Sequence, residues 1–371
     1  MGKSKIPETG IYDARQLGTG RMLLLGFQHM FAMFGATILV PILTGLDVSN
    51  TLLFAGLGTL LFHLITGGKV PAFLGSSFAF LGGYATIAPM LGEHQDIPNL
   101  EMLPYACFGV ACAGLVYVIL AYLFKVFGAK KVMRFFPPIV TGPIIIAIGL
   151  NLSSSAINNC TGSWWIAIAA ILIIVAANIW GKGMIKIIPI LLGVIGSYVI
   201  AVIADPAVRD NLVQNVSEAE WFALPIKMEQ TVFGLFASGN VDAHKLLTAA
   251  ITIVPLSLAT MVEHIGDVSA ISSTCDRNYI EDPGLHRTLM GDGLATTLAA
   301  LFGAPANTTY GENTGVLALS RIYDPRVIRI AAVLAMIFSV SPKFAAIISS
   351  MPKGTIGGVS LVLYGMISAV G

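Results

Sequence analysis

Three carboxylates stand where the chain would otherwise be hydrocarbon-soluble. Glu312 lies in residues 307–321, Asn-Thr-Thr-Tyr-Gly-Glu-Asn-Thr-Gly-Val-Leu-Ala-Leu-Ser-Arg, a polar interruption of an apolar segment. Glu263 and Asp267 are four apart in Met-Val-Glu-His-Ile-Gly-Asp and share one helical face. Each charge costs roughly 2.5–3.5 kcal/mol at the centre of a lipid-exposed helix, so all three should face protein or a water-filled cavity. Two alternatives stay open: Asp267 lies near enough to the end of its span to be solvated, and Glu263 serves structure alone. A carboxylate accepts N–H donors, and the N-terminus of a broken helix offers N–H groups of its own. An anion would be repelled there, whereas a neutral, imide-like ring with N–H and C=O groups satisfies both. Burial disfavours the charged form of a carboxyl group, so Asp267, Glu263 or Glu312 is expected to carry a coupling proton.

Composition says what must position these groups. The chain is 56% hydrophobic and only 11% charged, which makes it an integral membrane protein. A net charge of +1 excludes the basic surface of a nucleic-acid binder. Cys107, Cys112, Cys160 and Cys275 have no paired metal-ligand spacing, so no metal and no cofactor are expected. The polar first 21 residues lack a signal peptide's apolar run, and the first span should remain as an anchor. Intramembrane hydrolase is the rival class, but Gly-x-Gly-Asp, His-Glu-x-x-His and Gly-x-Ser-x-Gly are all missing, so no enzyme is expected.

Apolar segments begin near Leu23, Thr51, Ala72, Tyr105, Phe135, Trp164, Ile185, Leu246, Arg287, Ala304, Val327 and Gly354, giving roughly twelve spans. Those from Ala72 and Ala304 carry Gly, Ser, Thr and Asn and read as broken helices. With that count, 16 of 21 basic residues fall on one side, among them Lys3, Lys5, Lys69, Arg134, Arg277 and Arg326. Arg209, Lys227, Lys245, Lys343 and Lys353 fall on the other. The excess places the N-terminus in the cytoplasm.

The long polar connection 205–244 divides seven spans from the rest, and an odd number per half means inverted halves. Gly-Ser-Ser-Phe at 75–78 matches Asn-Thr-Thr-Tyr at 307–310, and Gln28-His29 in span one matches Glu263-His264 in span eight. The separations agree: 49 residues from His29 to Phe78 and 46 from His264 to Tyr310. Gln28 and His29 either support the site or brace span one against span eight. His264, about 100° around the helix from Glu263, is functional or simply packed. Phe78 and Tyr310 are core aromatics by default, but beside broken helices they can flank a flat ligand.

At these positions the chain resembles the nucleobase/ascorbate transporters, and within them the bacterial uracil permeases. The likeness rests on residues 28–37, 75–80, Glu263-His264-Ile265-Gly266, the run Asp282-Pro283-Gly284-Leu285-His286-Arg287, and a signature met at Glu312, Asn313, Gly315 and Arg321, with Ser320 for the usual threonine. The resemblance implies an all-α polytopic fold of seven plus seven inverted spans, with short antiparallel strands at the centre of broken spans three and ten. It implies a core domain in residues 1–131 and 245–351, a gate domain in 132–204 and 352–371, and an extracytoplasmic loop at 205–244. Glu263, Glu312, Phe78, Tyr310 and Gly311 would bind the nucleobase, with Gln28, His29, His264 and Asn313 in support and Tyr364 as a gate aromatic.

Glutamate at 312 resembles uracil-type members, whereas xanthine and urate carriers tend to have glutamine; a purine permease is the alternative within the family. The resemblance further implies proton-coupled uptake across the cell membrane by alternating access, and a homodimer through the gate. Asp267 departs from permeases with histidine there, which leaves the proton carrier open between carboxylates. The chain stops at Gly371 in or just after span twelve, so the expectation is that the family's last two spans are missing and the gate is incomplete. The 371-residue chain should then bind a nucleobase while transporting poorly, and full-rate uptake beside normal binding would contradict this.

Overall fold

The computed structural model describes residues 10–92, 97–132 and 138–370. Lys3, Lys5, Arg134, the start of span five at Phe135, and Gly371 lie outside the described residues. Two long helices open the chain, α1 (Thr19–Thr44) and α2 (Val48–Ile65), and Asp47 caps the second by accepting from the Asn50 amide. The third apolar segment is broken: strand β1 (Leu74–Ser76) runs through a 3-10 turn into the short helix α3 (Leu81–Ile87). Then come α4 (Leu103–Phe127), α5 (Ala129–Val132), α6 (Pro138–Thr161), α7 (Trp164–Trp180), α8 (Met184–Ile187) and α9 (Pro189–Ala204).

The 205–244 connection is more structured than a polar loop. It holds α10 (Pro206–Glu218), bent 108° from α9, and α11 (Val232–Ala237). Residues Ala243–Thr274 follow as α12 (Ala243–Ile253) and α13 (Ser257–Thr274), joined through a 3-10 turn at Pro255, which cannot supply the next helical N–H. Next is α14 (Leu285–Leu301). The second broken segment is strand β2 (Asn307–Thr309) leading into α15 (Gly311–Ser320). The described residues end with α16 (Pro325–Ser339), α17 (Pro342–Ser349) and α18 (Lys353–Val370).

The two strands pair antiparallel, Leu74 with Thr309, Gly75 with Thr308 and Ser76 with Asn307, as a two-fold axis between inverted halves requires. Other contacts repeat under the same exchange. Thr59 of α2 accepts from the Leu74 amide at 2.9 Å, and Thr296 of α14 accepts from the Asn307 amide at 3.2 Å. α4 packs along α14 just as α16 packs along α2. These contacts are close because they are made at glycine: a Cβ on Gly293 would meet the Gly114 carbonyl at 2.6 Å, and one on Gly56 would meet the Ala332 carbonyl at 2.6 Å.

The helices form two packed groups, α1 to α4 with α12 to α16, and a smaller one of α6, α7, α9 and α18. Among the described residues, α1, α2, α4 and the α12–α13 pair are each long and apolar enough to cross a bilayer. The charge sorting has its counterpart at the two ends. At one, Arg326 pairs with Asp13, Arg277 lies 4.2 Å over the Tyr12 ring, and Ile11 bridges to Ile322. At the other, Lys227 pairs with Asp47 and Lys245 with Glu101, while Lys343 donates to the Val216 carbonyl.

Two consequences can be measured. Gly75→Val should lower the melting temperature sharply, since even a Cβ there would sit 2.5 Å from the Tyr310 ring, and overpacking of this kind costs about 1–3 kcal/mol. Hydrogen bonds from Arg15, with Arg326 nearby, hold the Asp13 carboxyl down at about 2. A depressed carboxyl contributes above its ordinary range and fails only as pH falls through about 2, so the N-terminal clamp should stay intact between pH 5 and 8. Proteolysis of the N-terminal segment across that range, which should not change, tests it.

Candidate functional site

α13 and α15 pack together beside the strand crossing and carry the three carboxylates to one place. Gly311 is the first residue of α15; a Cβ on it would meet Asp267 Oδ1 at 3.1 Å, so glycine lets α13 lie against the helix N-terminus. Glu263 lies within the field of Glu312, and Asp267 within the fields of both. Glu263, Gly266, Gly311 and Glu312 are solvent-accessible and Asp267 is half-buried, whereas the alternate α13 positions Met261, His264 and Val268 are buried. The arrangement is an accessible cleft walled by acidic side chains and the N-terminal amides of α15, in which carboxylates accept from N–H donors and backbone N–H groups donate to a carbonyl oxygen.

The cleft opens toward the N-terminal end of the molecule. The accessible face of α13 continues through Ala270 to Ser273, and that of α15 through Ala318 and Leu319, while Ala259 and Thr260 beyond Glu263 are buried. Near that end, Leu25 and Gln28 of α1, Val316 and Leu319 of α15, and Met184 of α8 line a cavity of about 290 Å³. Gln28 therefore lines a cavity against Val316 and Leu319, four and seven residues after Glu312 on the same face of α15.

The supporting residues hold α13 and α15 in place. Asp267 Oδ2 accepts from the Thr309 hydroxyl at 3.2 Å, which ties it to β2 and decides against a merely solvated helix end. His264 Nδ1 lies 3.2 Å from the same hydroxyl, and the ring is buried. His29 braces α1 against span ten, not span eight: the Asn313 amide donates to its backbone carbonyl at 3.2 Å and approaches Nδ1 at 3.3 Å. Bracing against span eight is one of the two expectations for His29; the crossing strands instead bring α15 to α1.

Of the two flanking aromatics, Phe78 is half-buried at the end of β1, where the backbone turns into the 3-10 helix. The Tyr310 ring, 5% exposed, is committed to packing over Gly75, and its amide donates to the Phe73 carbonyl at 3.0 Å. Tyr364, on α18 in the smaller group, is 2% exposed and sits in the hydrophobic core with Phe34 and Tyr198. Neither tyrosine ring lies open on the face of Glu263 and Glu312.

Asp292 was missed by sequence reasoning as part of this assembly. It is fully buried on α14, accepts from the Thr309 amide at 2.9 Å, and places Oδ2 at 3.2 Å from His264 Nδ1, an ion-pair distance outside hydrogen-bonding geometry. The available signal was a charge inside an apolar span between two glycines, Gly291 and Gly293, which let α14 approach Phe62 and Tyr117. Asp292→Ala should lower stability by about 1–3 kcal/mol, because a strand amide is left buried without an acceptor. Asp292→Asn, which keeps an acceptor oxygen, should cost less, and thermal melts of the two variants in detergent compare them.

A family model described as Permease family matches residues 20–371. The chain is 40% identical over 362 residues to the uracil permease of Bacillus caldolyticus, covering 95% of this chain and 79% of that one. It is 36% identical over 358 residues to the uracil permease of Escherichia coli strain K12, covering 94% and 77%. Among solved structures, the transmembrane domain of the cyanobacterial bicarbonate transporter BicA superposes with a TM-score of 0.71 at 16% identity, over 98% of this chain and 91% of that one. That likeness is one of fold alone.

Proposed function

The chain belongs to the Permease family, the nucleobase/ascorbate transporters, and we propose that it takes up uracil across the cell membrane in symport with protons. The observation that supports this most is the meeting of Glu263 and Glu312, from different helices, at the N-terminus of α15. Uracil presents two ring N–H donors and two carbonyl acceptors. In this reading Glu263 and Glu312 accept the N–H groups, and the amides at Gly311 and at the turn beginning with Phe78 donate to the carbonyls. The relatives named uracil permeases favour the same substrate. The acidic cleft also speaks against an anion as cargo, whatever the fold shares with a bicarbonate carrier.

Coupling follows from crowding. Glu263, Asp267 and Glu312 stand in one another's fields, and a proton held among them relieves their repulsion when the neutral ring arrives. Asp267, tied to Thr309, is the group through which a change of charge reaches strand β2. The larger helix group then acts as the core that carries substrate and the smaller one as the gate against which it moves, with a homodimer formed through the gate. The N-terminal end, where the cleft opens, is the cytoplasmic one.

Glu263→Gln should abolish uracil binding, since it removes the charge and replaces one of the two acceptor oxygens with a donor where the ring also donates. Glu312→Gln should weaken it by roughly tenfold or more and shift preference toward xanthine, the charged hydrogen bond being worth about 1.5–3 kcal/mol. Competition binding with a nucleobase panel reads both. Uracil affinity should change with pH, because a proton is taken up or released as the ring binds; an affinity identical at about pH 6 and about pH 8 would rule the coupling out.

A further inference from the structure

Most helix glycines in the larger group are explained by what a side chain would strike. Gly83 faces Ile253, Gly109 the Ala249 carbonyl, Gly114 the Gly293 carbonyl, and Gly291 the ring of Phe62. Gly266 differs. It sits in the middle of α13, its φ is an ordinary helical one, and a Cβ there would find nothing within 4 Å. Neither packing nor backbone conformation calls for glycine at this point, yet glycine costs the helix stability relative to alanine. Gly20, Gly82 and Gly365 share that openness. Of these four, only Gly266 adjoins a carboxylate of the cleft: it lies three residues after Glu263 on the accessible face of α13, in line with Ala270 and Ser273.

We propose that Gly266 determines which rings the cleft admits, its bare hydrogen leaving room for the edge of the nucleobase beside Glu263. This rests on the permease reading above and adds to it a residue that sets size selectivity. On α15, Gly311 is already tight against α13, with Asp267 Oδ1 at 3.1 Å from where its Cβ would stand. The two helices thus touch at Asp267, whereas no atom lies within 4 Å of a Cβ on Gly266, so bulk added there projects into open space beside Glu263 and the ring must yield. A bicyclic purine, longer than uracil by a fused ring, should feel that bulk first.

The test uses the full chain in detergent, with Gly266→Ala and Gly266→Leu, read by equilibrium competition with uracil and xanthine and by thermal melting. Gly266→Ala should weaken xanthine more than uracil, by about tenfold or more for any xanthine binding the unsubstituted chain shows, in keeping with what one added methyl group does in a shaped pocket. Gly266→Leu should abolish uracil binding as well, while both variants melt at or above the temperature of the unsubstituted chain. Unchanged uracil affinity in Gly266→Leu would overturn the proposal, as would a large fall in melting temperature for Gly266→Ala, which would mean a packing role. If the unsubstituted chain itself binds no nucleobase, the permease reading fails instead, and the two failures are told apart by that single control.

Discussion

A bilayer offers backbone N–H and C=O groups no partner, and each one left unpaired in hydrocarbon costs several kcal/mol. Two helices of this chain nevertheless break in mid-membrane. They do so safely because each supplies what the other lacks: β1 and β2 pair with each other, and the ladder extends outward through Ser77 to Ala306 and Tyr310 to Phe73. Thr59 and Thr296 then join the strands to the second span of each half. The geometry of the candidate site depends on that mutual satisfaction, because it leaves Gly311 and Glu312 at the start of α15 accessible.

The same constraint accounts for the polar residues behind the cleft. Thr309 is a junction: its hydroxyl serves Asp267 and lies beside His264, and its amide donates to Asp292. A change at the accessible carboxylates thus bears on a strand shared between the two halves. Asn313 does similar work within the first turn of α15 by fastening it to the backbone of α1 at His29. Such buried polar contacts are worth modest energy individually, but with few competitors at membrane depth they fix geometry closely.

Much of this was legible in the chain itself. Hydropathy and charge are local and additive, so the apolar segments, the broken pair at 74 and 307, the sorting of Lys and Arg, and the isolated acids Glu263, Asp267 and Glu312 could all be read without coordinates. The inverted repeat was legible because two short motifs recur at nearly equal separation. The connection after Asp205 was read less well, since α10 is amphipathic and shows no run of apolar residues to mark it as a helix.

What the sequence determined alone is the class of the protein, its repeat, and which acids hydrocarbon would not tolerate, because these follow from transfer free energies that each residue carries with it. Only the tertiary structure decided the partners: His29 with Asn313 across 284 positions, Thr309 with Asp292, the Tyr310 ring spent on Gly75, and Gly266 left open. Pairings of that kind depend on how the two crossing strands bring distant helices together, and no local pattern encodes a distance across the fold.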